Sequence, residues 1–176
     1  MGSYPQVLIG ILASMTGCLS VGTYTITGAA GADQMDGGAG ADEFVQTAGA
    51  TAAGTAATIA APGDLTDGDT ITVAGADIIT NFTGGTDVMN TTDGTAAVVV
   101  VSGSAYDNTV NGGNVIVRGD FAGGVFTIDT AVGADAMFMD LTAAISNANP
   151  NGSGTAVTVF AGQGANIAAI ATGNWV

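Results

Sequence analysis

Apolar residues in this chain fall in short runs separated by Gly, Asp, Asn and Thr. Short apolar runs bounded by turn formers predict strands joined by tight turns. Ala96 to Val101 is continuously apolar, the pattern of a strand buried on both faces. Asn111-Gly112-Gly113-Asn114 predicts a turn into Val115-Ile116-Val117, and Ala122-Gly123-Gly124 predicts a hairpin into Val125–Ile128. Ala156 to Ala161 reads as a further strand. Asp140 is placed to cap a short helical turn through Ile145, stopped before Pro150. Ile167 to Ile170 forms an apolar tail. Near the other end, Val7 to Ala13 is apolar but too short to span a bilayer. Met15-Thr16-Gly17-Cys18 is loosely similar to a lipoprotein cleavage box, yet no Lys or Arg precedes the run, as a signal segment requires. The expectation is an ordered strand, buried internally or in a neighbouring subunit.

Composition supports the same class. The chain has 29 Gly and only 3 Pro, with little Lys, Glu or Leu, which disfavours a helical bundle and favours many short strands. The expected fold is all-β: a short parallel β-roll-like repeat segment followed by a β-sandwich or β-solenoid-like region. Three parts are expected: an apolar N-terminal segment over 1–18, repeats with an Ala/Thr-rich connection over 19–62, and a C-terminal β domain over 63–176. Residues 46–62 are almost entirely Ala, Thr and Gly, either a flexible linker or an irregular strand region.

Within the second part the chain repeats itself. Residues 28–36 (GAAGADQMD) and 37–45 (GGAGADEFV) align without gaps at a period of nine. Gly31 matches Gly40, Asp33 matches Asp42, and Met35 matches Phe44. Residues 19–27 resemble a decayed copy, with Gly22 and Ile26 in phase and Tyr24 at the Asp position. Residues 46–54 keep Gly49 but place Thr51 there. The shorter unit Gly-x-Asp-x-apolar recurs at Gly75–Ile79, Gly85–Met89 and Gly133–Met137. These later copies read either as relatives of the repeat or as Gly-Asp turns entering strands.

Charge narrows the chemistry. The 15 acidic residues face a single Arg (Arg118), with no Lys and no His, for a net charge of −14. Such a surface repels nucleic acid and anionic membranes. It attracts hard divalent cations, calcium above all. Lack of His excludes His-based triads and His metal ligands, and lack of Lys excludes a phosphate-binding loop. Asp64, Asp67 and Asp69 cluster, but in a Gly-rich turn that reads better as surface or calcium ligands than as a catalytic pair. No enzymatic activity is expected. The single Cys18 forbids an internal disulfide, so metal or subunit contact is the candidate staple.

The run GAAGADQMDGGAGADEFV resembles the RTX, or hemolysin-type, calcium-binding repeat GGxGxDxUx. Residues 77–87 are similar to the D-x-I-x-x-F-x-x-G-x-D stretch that often follows such repeats. The resemblance implies a parallel β-roll with Ca2+ between turns two repeats apart. It implies Asp33 and Asp42 as side-chain ligands. The turns around Gly28, Ala30, Gly31, Gly37, Ala39 and Gly40 would add backbone carbonyls, with Asp36 beside them. The positions two repeats from Asp33 and Asp42 hold Thr51 and Tyr24, which leaves each shell incomplete. Three completions are open: the later acids Asp69, Asp77 or Asp87 fold back, a neighbouring subunit contributes, or the sites are weak half-shells. The apolar tail is also similar to family C-termini that carry a type I secretion signal. The functional expectation is a secreted bacterial, extracellular or cell-surface structural protein that binds calcium and self-assembles as a homopolymer into a filament, sheath or surface layer. The alternative is a calcium-stabilised adhesin or carbohydrate-binding module.

Overall fold

A computed structural model describes residues 6–9, 22–28, 30–46, 54–61, 64–91, 98–101, 106–107, 113–141, 146–148 and 157–171. The protein is all-β with one short helix. Its strands are β1 (Gln6–Ile9), β2 (Tyr24–Thr27), β3 (Gln34–Asp36), β4 (Glu43–Gln46), β5 (Ala56–Thr58), β6 (Asp64–Leu65), β7 (Thr70–Thr72) and β8 (Asp77–Thr80). They continue as β9 (Val88–Thr91), β10 (Val98–Val101), β11 (Tyr106–Asp107), β12 (Gly113–Ala122), β13 (Val125–Ile128), β14 (Asp135–Leu141) and β15 (Val157–Phe160). A 3-10 turn, Gly164–Asn166, leads into the helix α1 (Ile167–Ala171).

The repeats alternate between two sheets. Strands β1, β2, β4 and β9 form one sheet in that order, all parallel. Strand β3, between β2 and β4 in sequence, lies in the other sheet and pairs in parallel with β8. After Gln46 the chain leaves this stack. It returns at Asp77, where β8 adds to β3 and β9 adds to β4. The nine-residue spacing sets this path: a Gly-rich turn, a strand too short for more than one inward apolar residue, then another turn. Leu8, Ile26, Phe44 and Met89 share one register ladder, and Met35, Ile79 and Phe160 share the other. The Gly75–Ile79 and Gly85–Met89 units therefore rejoin the repeats as further coils. Gly133–Met137 does not, because its Asp135 opens the antiparallel strand β14.

The second sheet continues past β8 through β15, β14, β12, β13, β7 and β5, with β10 also paired to β12. Its middle strands are buried on both faces. Val115, Val117, Met137, Met139, Val157 and Val159 enter a core with Ile59, Leu65, Ile71, Phe126 and Ile128. Ile116, Ala136, Phe138 and Phe160 point the other way and join Ile26, Met35, Phe44, Ile79 and Met89 inside the coil stack. Ile167 and Ile170 close that second core, so the apolar tail of the sequence is helical over Ile167–Ala171. Phe82 links the parts: its ring centroid is 5.8 Å from Phe44 and 4.9 Å, edge-on, from Phe160.

The hairpin at Gly123-Gly124 forms as the pattern implies. Ala122 pairs with Val125 across two Gly at φ 59° and 81°, angles that suit the twist of a two-residue turn. The helical turn at Asp140 does not form at its start. Asp140 lies within β14 opposite Asn114, because Ala136–Met139 is buried on both faces and that burial outweighs a local cap signal. Residues 10–13, Cys18, Thr51, Asn111-Gly112 and Ile145 lie outside the described residues.

Replacing Phe82 by Ala removes the ring common to both aromatic contacts. The expected cost is about 3–5 kcal/mol of unfolding free energy, read by urea denaturation, whereas Val132→Ala, at a side chain 75% exposed, leaves stability nearly unchanged.

Candidate metal centre

The turns between the two sheets stack into two edges. On one, Gly28 and residues 30–33 lie against the turn that ends at Asp77. On the other, Gly22–Tyr24, residues 37–42 and residues 81–87 lie in succession. The same bond recurs on both. The Asp33 N–H donates to Asp77 Oδ1 at 3.0 Å, and the Asp42 N–H donates to Asp87 Oδ1 at 2.9 Å. The Tyr24 N–H donates to Asp42 Oδ1 at 3.0 Å, so the decayed copy keeps the donor while lacking the acid. Ile78 N and Val88 N return bonds of 2.8 Å to the carbonyls of Asp33 and Asp42. Asp42, Asp77 and Asp87 thus each accept from the backbone of the coil before them.

The second carboxylate oxygens behave differently. Asp33 Oδ2 and Asp42 Oδ2 are buried without a hydrogen-bond partner. Asp33 Oδ2 and Asp77 Oδ2 both lie beside Gly28, 3.3 and 3.0 Å from the point a Cβ would occupy there. Asp42 Oδ2 lies 2.6 Å from the corresponding point on Gly37. Both glycines are needed for the room they leave, not for their φ. Gly40 is needed for close approach, since a Cβ there would fall 1.6 Å from the Gly22 carbonyl oxygen.

Burial acts on these acids. Asp77, 2% exposed, has its pKa pushed up to about 7, first by desolvation and also by the neighbouring Asp33 carboxylate, against the lowering effect of the Asp33 N–H bond. Asp42, 1% exposed, is also raised by desolvation, with Asp87 and Asp36 adding repulsion. No basic group relieves them: the one Arg in the chain, Arg118, donates to the carbonyls of Gly133 and Ala131.

The remaining expected ligands are placed as follows. Asp36 Oδ1 accepts from Gly38 N and Asn81 Nδ2, both at 2.9 Å. Asp69 stands apart, with Ala60 N on Oδ1 and Thr66 N and Oγ1 on Oδ2. Ala30 and Gly31 are exposed, with Gly31 at φ 123°. The Ala39 carbonyl accepts Gly22 N at 3.0 Å. Of the later acids, Asp77 and Asp87 fold back onto Asp33 and Asp42. Sequence reasoning passed over Asn81 and Thr83. Asn81 holds Asp36 from a left-handed φ of 58°, and the Thr83 N–H donates to Asp87 Oδ2 at 2.7 Å. Their one sequence signal was their place between the paired Asp77 and Asp87.

Among the described residues, no group of three or more Asp, Glu, Cys or His converges on one point. The side chains offer paired carboxylate oxygens, and calcium commonly completes about six to eight oxygens with carbonyls and water. The buried, unpartnered Asp33 Oδ2 and the gap at Gly28 fit that donor chemistry. A recess of about 300 Å³ is lined by Phe82, Thr83, Gly84, Gln163, Asn166 and Ala169. Phe82 is buried beneath it, so the recess offers no aromatic face to a sugar. No family model matches this chain, and no curated protein does.

A carboxyl whose pKa rises on folding takes up protons as the chain folds, so its charge opposes the fold increasingly as pH rises from the unfolded value toward about 7. In chelator, the melting temperature is therefore expected to be higher at pH 5 than at pH 7.5. Asp77→Asn, which keeps the acceptor for Asp33 N–H, should shrink that difference; an equal difference in the variant would count against the assignment.

Proposed function

We propose that this chain is a secreted, calcium-stabilised structural protein, that its coil stack is a short parallel β-roll, and that it self-assembles at or outside the cell surface. The observation that carries the reading is the pair of carboxylate oxygens, Asp33 Oδ2 and Asp77 Oδ2, both beside Gly28, with Asp33 Oδ2 buried and without a hydrogen-bond partner. Two like charges held together away from water repel, and a divalent cation between them converts repulsion into attraction. Oxygen-only chemistry, the absence of His from the sequence and the Gly-rich turns all favour calcium over transition metals.

The sheet ends support the self-assembly reading. Strands β1 and β9 terminate an all-parallel sheet, and among the described residues neither outer edge is paired. Open parallel edges are templates for another chain. A net charge of −14 opposes such contact until cations screen or bridge it. The reading assigns no catalytic residues, and no helix among the described residues is long and apolar enough to cross a membrane.

The test is sedimentation velocity of the full chain in millimolar calcium and after chelation, beside direct calcium binding by equilibrium dialysis. Large species that dissociate in chelator, with saturable binding, are expected. Unchanged sedimentation would remove calcium-gated assembly, and no saturable binding would remove the calcium reading itself.

A further inference from the structure

The sheet that carries the repeats has two unlike ends. Its order is β1-β2-β4-β9, every pair is parallel, and one register runs through all four strands. Leu8, Ile26, Phe44 and Met89 occupy one row of that register. Two places earlier in each coil stand Gln6, Tyr24, Asp42 and Asp87. The second sheet has no matching pair of parallel ends, because past β15 it turns antiparallel.

At that earlier position the polar bonds run one way. Asp42 accepts Tyr24 N–H, and Asp87 accepts Asp42 N–H. Each added coil thus brings a carboxylate for the amide of the coil before. The rule stops at Asp87. Its own N–H donates to Thr83 O at 2.9 Å, and its oxygens take Asp42 N–H and Thr83 N–H. A coil added after β9 finds that amide already bonded. A carboxylate arriving there would meet Asp87 with no donor to hold it, and the two like charges would repel. The strand that suits this end is parallel, apolar in the Met89 row and uncharged two places earlier. Strand β1 meets all three conditions, with Leu8 in the row and Gln6 before it. Its outer edge is unpaired among the described residues. Neither β1 nor β9 contains a charged residue, so joining them adds no like-charge contact within the strands of a chain at −14.

We propose that β1 of one copy adds in parallel to the outer edge of β9 of the next, with Leu8 beside Met89 and Gln6 beside Asp87. The proposal rests on the self-assembly reading above and names its contact. A head-to-tail contact joins two different surfaces, so every added copy presents a new β9 edge and growth is open-ended. The contact is made of strand bonds, without an ion between the copies.

The test is a disulfide trap in millimolar calcium. In a Cys18→Ser background, Val7→Cys and Val88→Cys are made as separate full chains. Both positions fall in the register row of Thr25 and Glu43. Paired strands lie about 4.8 Å apart, within the reach of a disulfide. Oxidation of the mixture is expected to link the two kinds of chain, identified by mass spectrometry of the joined peptides, while either chain alone stays unlinked. Linkage in Val7→Cys alone would mean a two-fold contact between β1 strands and would overturn the proposal. So would an unlinked mixture whose sedimentation still shows large species. Gln6→Asp is expected to raise the concentration needed for assembly about tenfold or more, and Gln6→Asn to leave it nearly unchanged; stronger assembly in Gln6→Asp would also overturn the proposal. A wild-type chain that stays monomeric would instead remove the self-assembly reading.

Discussion

The fold depends on a carboxylate of one coil accepting the backbone N–H of the coil before it. In a stack of turns each exposed amide needs a partner, and a buried amide left alone costs on the order of 1–3 kcal/mol. Asp77 and Asp87 supply those partners to Asp33 and Asp42, and Asp42 supplies one to Tyr24. An Asp reaches that amide because it follows a Gly-rich turn at a fixed offset, and its short side chain lies along the stacking axis. The same bond aligns the inward residues two places later, so Ile26, Phe44 and Met89 superpose in one ladder and Met35 and Ile79 in the other. Polar satisfaction at the edges and apolar burial between the sheets therefore specify one register together.

That register extends beyond the repeats. Phe160 takes the place next to Ile79 although β15 carries neither Gly nor Asp in the repeat phase. From there the sheet passes into antiparallel pairing, and strands β12, β14 and β15 separate two cores. Gln46 donates to Thr158 inside this junction, both buried, which ties the last residue of β4 to the strand that continues the second sheet. The outer face of the coil sheet has its own polar ladder, where the Thr25 hydroxyl and the Asn90 amide donate to opposite oxygens of Glu43.

Much of this was legible in the chain itself. The all-β class followed from Gly-bounded apolar runs, and the hairpin at Gly123-Gly124 was readable because its turn is local. The motif Gly-x-Asp-x-apolar marked the coil positions at 31–35, 40–44, 75–79 and 85–89. It could not say which copies stack. That depends on an excursion over residues 47–76 whose length no local rule supplies, and on β8 finding β3 across it. Gly133–Met137 carries the same letters, but its Asp135 accepts Phe121 N and Gly162 N within antiparallel pairing. Asp69 likewise looked like a ligand by type and neighbourhood. Its oxygens close a local turn and bind Ala60, so its chemistry is already spent. Spacing predicts chemistry well where the partner is one coil away and poorly where the partner arrives by a long detour.

The electrostatics then constrain how the edge acids are neutralised. A chain with 15 acids has a single Arg to offset them, and Arg118 is engaged with the carbonyls of Gly133 and Ala131. Hydrogen bonds from backbone amides stabilise one oxygen of Asp42 and of Asp77 and both oxygens of Asp87. They do not reach the second oxygen of Asp33 or Asp42. A buried carboxylate has two remedies for that residue of charge: a proton, or a cation from solvent. The elevated pKa of Asp77 measures the pull toward the first. The second would meet the same demand at neutral pH without giving up the carboxylate charge, and Asp33 Oδ2 and Asp77 Oδ2 both lie beside Gly28. On the proposed calcium reading, an acidic chain that folds by stacking its aspartates would make its own stability a function of the divalent cations around it.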